Sequence, residues 1–321
     1  MNQVNFYDNI FDAPCLAPVS PRIFQPFPQA YLTGPVPDHL KSCTIAELTA
    51  RLARVSEKEA AALVEFGSIW LDDRPCLEPE HKLHENRTFR INPPAYGPVK
   101  FYEADPARIV YEDRDLLAYN KESGRPSQGV PYDGYNNTLA ALGRLLKQRG
   151  KAGHLWLLHR LDADTSGLLL LAKSKDAAGY MGRAFQTGQV SKEYLALGLG
   201  KSSTGGLVVD TPIAKEKGRY ITKPKIEGLA AKTTFKAVAE SAFPPGGSDM
   251  KTVLFRAYPH TGRTHQIRLH LAYAGWPIAG DRFYGLEKYL DHFSRLMLCS
   301  GGLSFTHPKT GREMSITLPF A

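Results

Sequence analysis

Apolar residues recur at helical spacing in Ile45, Leu48 and Leu52, which predicts a helix over Thr44 to Arg54. Ser56 stands where it can N-cap a second helix running to Phe66. Ile69 and Leu71 precede the turn-forming Asp72-Asp73-Arg74-Pro75, and Leu83 to Ile91 reads as a further strand. Beyond Pro93, Pro94 and Pro98 the pattern turns to strands, expected at Ala107–Tyr111, Asp115–Lys121, Leu155–Leu158 and Ser166–Lys173. More follow at Glu193–Leu199, Leu207–Ile213, Thr233–Ala239, Thr252–Tyr258, Met297–Phe305 and Glu313–Leu318. Helices are expected at Thr138–Gln148, Asp176–Thr187 and Thr264–Ala274. Strands that outnumber helices without alternating one for one predict an α+β fold with a largely antiparallel sheet rather than a doubly wound one.

The punctuation divides the 321 residues into four parts. Residues 1–40 hold seven of the 23 prolines together with Phe6, Tyr7, Phe11, Phe24, Phe27 and Tyr31, which predicts an extended arm laid over a neighbouring domain. Residues 41–92 read as a small helix-and-hairpin module, 93–106 as a linker, and 107–321 as the main domain. No internal repeat is visible.

Charge changes the picture. The net charge is +8, yet residues 1–40 set one arginine against three aspartates, and 41–95 set eight Lys/Arg against nine Asp/Glu. The entire excess therefore lies beyond residue 95, where a polyanion such as RNA is the natural partner to expect. No apolar run is longer than the five residues Leu168 to Ala172, far too short to cross a membrane, and Met1 to Ile10 carries no Lys or Arg of the kind that opens a signal peptide. A cytoplasmic monomer with no membrane partner is the expectation. The four cysteines are too scattered for a ligand pair or a disulfide framework, and the histidine pairs 154/159, 260/265 and 265/270 are spaced to diverge on a helix. No metal and no cofactor are expected. Gly198-Leu199-Gly200-Lys201-Ser202 fails as a phosphate loop because Leu195 stands where that loop needs glycine.

Two stretches carry chemistry. His159-Arg160-Leu161-Asp162-Ala163-Asp164-Thr165-Ser166-Gly167 places carboxylates, an imidazole and a guanidinium between apolar runs that must be buried. A loop so anchored can present Asp162 as a positioned nucleophile, although a plain turn in which Asp and Thr/Ser satisfy backbone amides has the same composition. In Gly262-Arg263-Thr264-His265-Gln266-Ile267-Arg268-Leu269-His270, Arg268 falls at the margin of a stripe formed by Ile267, Leu271 and Ala274. There it can meet a carboxylate from the sheet; the alternative is an ordinary amphipathic helix with a solvated basic face.

The ordered motifs H-R-L-D-x-x-T-S-G at 159–167, K-E-Y at 192–194 and G-R-T-H-Q-I-R-x-H at 262–270 resemble the RluA-type pseudouridine synthases, as do Gly280-Asp281 and Tyr284-Gly285. The resemblance implies an α+β catalytic domain with a mixed, mainly antiparallel central sheet and an RNA-binding cleft. It implies Asp162 as the aspartate that attacks the target uridine, Tyr194 as the tyrosine that packs on the uracil and assists proton removal, and Arg268 as the aspartate's basic partner. Arg160 would stand near the extruded nucleotide, with Thr165 shaping the turn and His159, Arg263, His265 and Gln266 among the RNA contacts. Lys215, Lys217, Arg219, Lys223 and Lys225 form a basic loop suited to phosphate contact, or a plain solvated hairpin. Residues 41–92 are similar to the S-four-like RNA-binding module that often precedes this domain, here without its basic surface.

The implied activity is isomerisation of specific uridines to pseudouridine in structured RNA, ribosomal RNA foremost. A transfer-RNA target and an RNA-binding or ribosome-assembly role with secondary catalysis stand as alternatives. A two-carboxylate glycosidase using Asp162 and Asp164 is a weaker third.

Overall fold

The computed structural model describes residues 32–84, 87–94, 98, 100–151, 153–201, 205–242 and 251–319. The expected arm lies outside these residues up to position 31. Of its described part, residues 32–40, Leu32–Pro35 is strand β1 and Asp38–Leu40 a 3-10 turn. The described chain forms two compact units, residues 32–105 with 126–153, and residues 106–125 with 154–319.

In the first unit, α1 (Ile45–Ala53) and α2 (Glu57–Glu65) each open with a reciprocal capping box, Thr44 with Glu47 and Ser56 with Glu59. Ile45, Leu48, Leu63 and Val64 pack with Ile69, Phe89 and Ile91 into one core. The sheet runs in the order β1, β4 (Thr88–Ile91), β2 (Ile69–Leu71), β3 (Arg74–Pro75). The strand expected from Leu83 is thus shorter and begins at Thr88. Residues 126–153, placed by sequence in the larger domain, pack with this unit through helix α3 (Thr138–Gln148) and the turn before it. Gly134 N–H donates to the Phe66 carbonyl at 2.9 Å. The Phe66 and Tyr135 rings stack with centroids 6.3 Å apart.

The second unit is built on a ten-stranded sheet. Its main path begins β10 (Gly206–Asp210), β13 (Lys232–Ala242), β14 (Lys251–Pro259), β9 (Ser191–Gly200). It continues β15 (Leu298–Thr306), β8 (Ser166–Ala172), β6 (Leu116–Lys121), β5 (Ile109–Glu112). Strand β16 (Glu313–Thr317) pairs with β15, and β7 (Trp156–Leu157) with β8. Only the β15–β8 ladder is parallel among the described residues, so the largely antiparallel sheet expected from the strand pattern forms, as the mixed, mainly antiparallel sheet that the resemblance implies. Helix α4 (Lys175–Gln186) packs on β8.

The strand expected over Leu207–Ile213 breaks at Thr211-Pro212, where proline removes a ladder donor, and the chain leaves the sheet as the hairpin β11 (Ile213–Glu216), β12 (Arg219–Thr222). Helix α5 (Gln266–Tyr273) starts two residues later than expected, because His265 is left-handed at φ 58°. It is also not amphipathic: Gln266 to Leu271 are all buried, Arg268 and His270 included. The solvated basic face considered from sequence is therefore absent. His270 instead bonds through its ring nitrogens to Thr233 Oγ1 at 2.9 Å and the Thr211 carbonyl at 3.1 Å, and burial lowers its pKa.

Candidate active site

Residues 158–165 join β7 to β8, and both ends of this loop are fixed. Every residue of β8 is buried. At its start Gly167 has φ 105° and lies against Ser300 of β15, so closely that a Cβ would come within 2.3 Å of the Ser300 carbonyl oxygen. Only glycine fits there. On the other side Lys121, at the end of β6, donates from Nζ to the carbonyls of Glu122, Arg125 and Ala163 at 2.9, 2.7 and 2.9 Å. Ser123 Oγ donates to the Asp164 carbonyl at 2.6 Å and Gly124 N–H to that of Ala163 at 2.9 Å. Thr165 N–H closes the turn on the Asp162 carbonyl at 3.1 Å. Burial pushes the Lys121 ammonium down to about 7 against the opposing pull of Glu122, Asp164 and Asp162.

The loop presents the Asp162 carboxylate to Arg268, whose Nη1 stands 3.4 Å from Oδ2. Arg268 is itself gripped by Asp281: Nε donates to Oδ2 at 2.8 Å and Nη2 to Oδ1 at 2.7 Å, a planar fork-to-fork pair with both side chains buried. Asp281 Oδ1 also accepts the Phe283 and Tyr284 amides at 2.9 and 3.2 Å. Burial would lower the guanidinium pKa, but Asp281 and Asp162 reverse this and raise it, so Arg268 is a permanent cation. The rings of Phe283 and Tyr284 each lie 5.3 Å from it. His265 Nε2 is 3.8 Å from the same Asp162 oxygen, and Nδ1 shares a 2.8 Å hydrogen bond with the Tyr284 hydroxyl. Burial lowers the imidazole pKa despite Asp162 nearby, so near pH 7 the ring is neutral.

A cleft of about 950 Å³ opens over these groups, of a size for a nucleotide. Asp162, Tyr194, Arg268 and His265 line it, together with His159, Arg160, Thr165, Arg263 and Gln266. Tyr194, on β9 opposite Ser300, is buried, which pushes its phenol pKa up and keeps the proton on near neutral pH. His159 accepts the Leu170 amide at Nε2, 3.0 Å, and stacks on Phe185 at 4.9 Å; burial pushes it down to about 3, so it is neutral. Gln266 accepts from Thr261 Oγ1 and Arg263 N–H and donates to the Lys232 carbonyl and Thr233 Oγ1, which occupies its whole amide. Arg160 donates to Thr264 Oγ1 at 3.0 Å and Arg263 to the Ala230 carbonyl at 3.1 Å, and both are exposed.

Lys215, Lys217, Arg219 and Lys223 are at the β11–β12 hairpin and are not among the residues that line the cleft. The hairpin reaches the site through Tyr220, whose ring meets His265 edge-on at 5.6 Å. Lys223 is 3.8 Å from Glu216, both exposed. Two residues of the site had no role assigned from sequence. Asp281 was visible only as part of a family-like Gly-Asp pair. Lys121 closes an apolar strand like any solvent-facing terminal lysine, and nothing local marks it as buried. Among the described residues no three His, Cys, Asp or Glu side chains gather as a metal site, and no helix is long and apolar enough to cross a membrane.

Residues 115–273 match the family model described as RNA pseudouridylate synthase. The ribosomal large subunit pseudouridine synthase C of Vibrio vulnificus is 37% identical over 66% of this chain and 65% of its own length. That of Salmonella typhimurium is 34% identical over 76% of this chain and 78% of its own. Among solved structures, human RNA pseudouridylate synthase domain containing 1 is 25% identical, covers 68% of this chain and 86% of its own, and superposes with a TM-score of 0.55. With Asp162, Tyr194 and Arg268 inside the matched region and a relative 34% identical over 76% of this chain and 78% of its own length, the chain belongs to the RNA pseudouridine synthase family.

Proposed function

We propose that this protein converts uridine to pseudouridine in large-subunit ribosomal RNA, with Asp162 as the nucleophile. The observation that carries the reading is the Asp162–Arg268–Asp281 row, in which a carboxylate at the cleft wall faces a guanidinium that a second, buried carboxylate holds in place. The names of the relatives support the ribosomal target. The isomerisation breaks the bond from uracil N1 to ribose C1′, joins C5 to C1′, and moves one proton from C5 to N1. It is redox-neutral. Asp162 bonds transiently to the nucleotide and leaves again, with Arg268 aiming its oxygens.

Tyr194 keeps its proton, which supports a platform packed on the uracil over a resting phenolate base. His159 and Gln266, occupied within the protein, support the loop that carries Asp162 and the start of helix α5 that carries Arg268, while exposed Arg160 and Arg263 remain free to turn toward RNA. The β11–β12 lysines and Arg219 extend the phosphate contacts beyond the cleft. Residues 41–92 act as an S-four-like RNA-binding module, a reading supported by two capped helices beside a small sheet. The protein works as a monomer in the cytoplasm.

Incubation of deproteinised large-subunit ribosomal RNA with the purified protein tests this, read by chemical mapping of pseudouridine. The unmutated protein must modify discrete uridines and Asp162→Asn none. Modification by Asp162→Asn at the same sites would remove Asp162 from the chemistry.

A further inference from the structure

Of the Lys and Arg side chains that line the cleft, Arg160 and Arg263 are exposed, Arg268 is paired with acids, and Lys192 is neither. Arg268 has Asp281 and Asp162, Arg256 has Glu193 at 2.9 Å, and Lys173 has Glu112 at 2.8 Å. Lys192 lines the cleft half-buried, and among the described residues its Nζ makes a single hydrogen bond, to the Thr261 carbonyl at 3.3 Å. Among the described residues no carboxylate pairs with it. An ammonium removed from water without a counter-charge is unfavourable until an anion arrives. The covering loop leaves room for one, because a Cβ at Gly262 would lie 4.0 Å from Nζ and any longer side chain would reach across the ammonium.

Lys192 stands two residues before Tyr194 on β9, so both side chains leave the same face of the strand, about 7 Å apart along it. That spacing is comparable to the separation of a base from the phosphates on its own ribose. The anionic groups of an RNA substrate are its phosphates. We infer that Lys192 is the anchor for a phosphodiester flanking the uridine that Tyr194 receives, an inference that rests on the reading of the cleft as a uridine site. Lys192 is thus a positioning residue: it sets the depth to which the flipped nucleotide enters, and with it the distance of C1′ from Asp162.

The test uses a short RNA carrying a uridine located by the mapping, either natural or with one neutral methylphosphonate 5′ or 3′ of that uridine. Binding is measured on Asp162→Asn protein so that turnover does not intrude. One of the two methylphosphonates should weaken the protein that retains Lys192 about tenfold. Adding Lys192→Met should weaken the natural RNA to a similar degree, abolish sensitivity to that methylphosphonate, and make the slope of log K against log salt shallower by about one. Lys192→Gln, which keeps a donor for Thr261, replaces Lys192→Met if thermal melts show the latter unfolding early. The inference is overturned if neither methylphosphonate weakens binding, or if removing the ammonium leaves the sensitivity to both unchanged. Failure of the underlying reading would show separately, as absence of pseudouridine when the unmutated protein meets the natural RNA.

Discussion

Asp281 holds Arg268 through hydrogen bonds of 2.7 and 2.8 Å, which leaves one guanidinium nitrogen facing Asp162 at 3.4 Å. Two carboxylates share one cation, and the buried one does the holding. Replacing Asp281 by Asn keeps the shape but removes the charge, and breaking such a pair destabilises by about 3–5 kcal/mol. The released guanidinium can then swing fully onto Asp162. Asp281→Asn should lower the Tm clearly and reduce kcat about a hundredfold or more, as misplacement of a positioned group does. Arg268→Lys should fail similarly, since an ammonium cannot engage Asp281 with two nitrogens and still face Asp162. Urea titration and single-turnover assays of both variants check this.

Lys121 ties three carbonyls of the loop region together from a fully buried position. Lys121→Met preserves the stem and leaves those acceptors unsatisfied, which should cost about 3 kcal/mol or more. Because the Ala163 carbonyl is one of the three, the loop that presents Asp162 should loosen too. The expected result is a lower urea midpoint together with a lower kcat, and faster amide exchange at 162–165.

The buried phenol of Tyr194 separates packing from proton transfer. Tyr194→Phe keeps the ring and should hold the Kd for RNA within about twofold while lowering kcat. Tyr194→Ala removes the platform and should weaken both. A large loss of affinity in Tyr194→Phe alone would show that the hydroxyl contacts the bound nucleotide in its ground state.

At the opposite edge of the sheet from the β10 end, Asp113 accepts the Tyr111 hydroxyl at 2.6 Å, the Leu116 and Asp115 amides at 2.7 and 2.8 Å, and bonds to His307 Nε2 at 2.8 Å. Burial alone would raise its pKa, but these bonds together bring it below the ordinary aspartate value. A carboxylate lowered in the folded state binds fewer protons there than when unfolded. Its contribution is therefore present in full above the unfolded value near 4 and is lost as pH falls below it. The urea midpoint should drop between about pH 5 and 3, and Asp113→Asn should start lower and flatten that acid limb.

The elements of the sheet and helices were legible because their signals are local: the cap Ser56 and the apolar run Leu168–Ala172 of β8 sit in the sequence within a few residues of the structure they make. The start of α5 was not, since nothing local announces the left-handed His265, whose ring meets the Tyr284 hydroxyl and the Tyr220 ring, both distant in sequence. The same holds for burial on all sides of that helix, which no single-face pattern announces. Asp162 and Arg268 stood out as polar residues beside apolar runs, and the roles expected of them and of Tyr194 came from the resemblance of the ordered motifs to a known family. The roles of Asp281 and Lys121 were not visible, because they exist only once residues 13 and 42 positions away are folded against them.

The most direct test of the central claim is pseudouridine mapping at single-nucleotide resolution on total RNA from the source cell, with the gene intact, deleted, and complemented by wild type or Asp162→Asn. The account predicts that one or a few pseudouridines of large-subunit ribosomal RNA vanish on deletion and return only with wild type. An unchanged map, or restoration by Asp162→Asn, would contradict it.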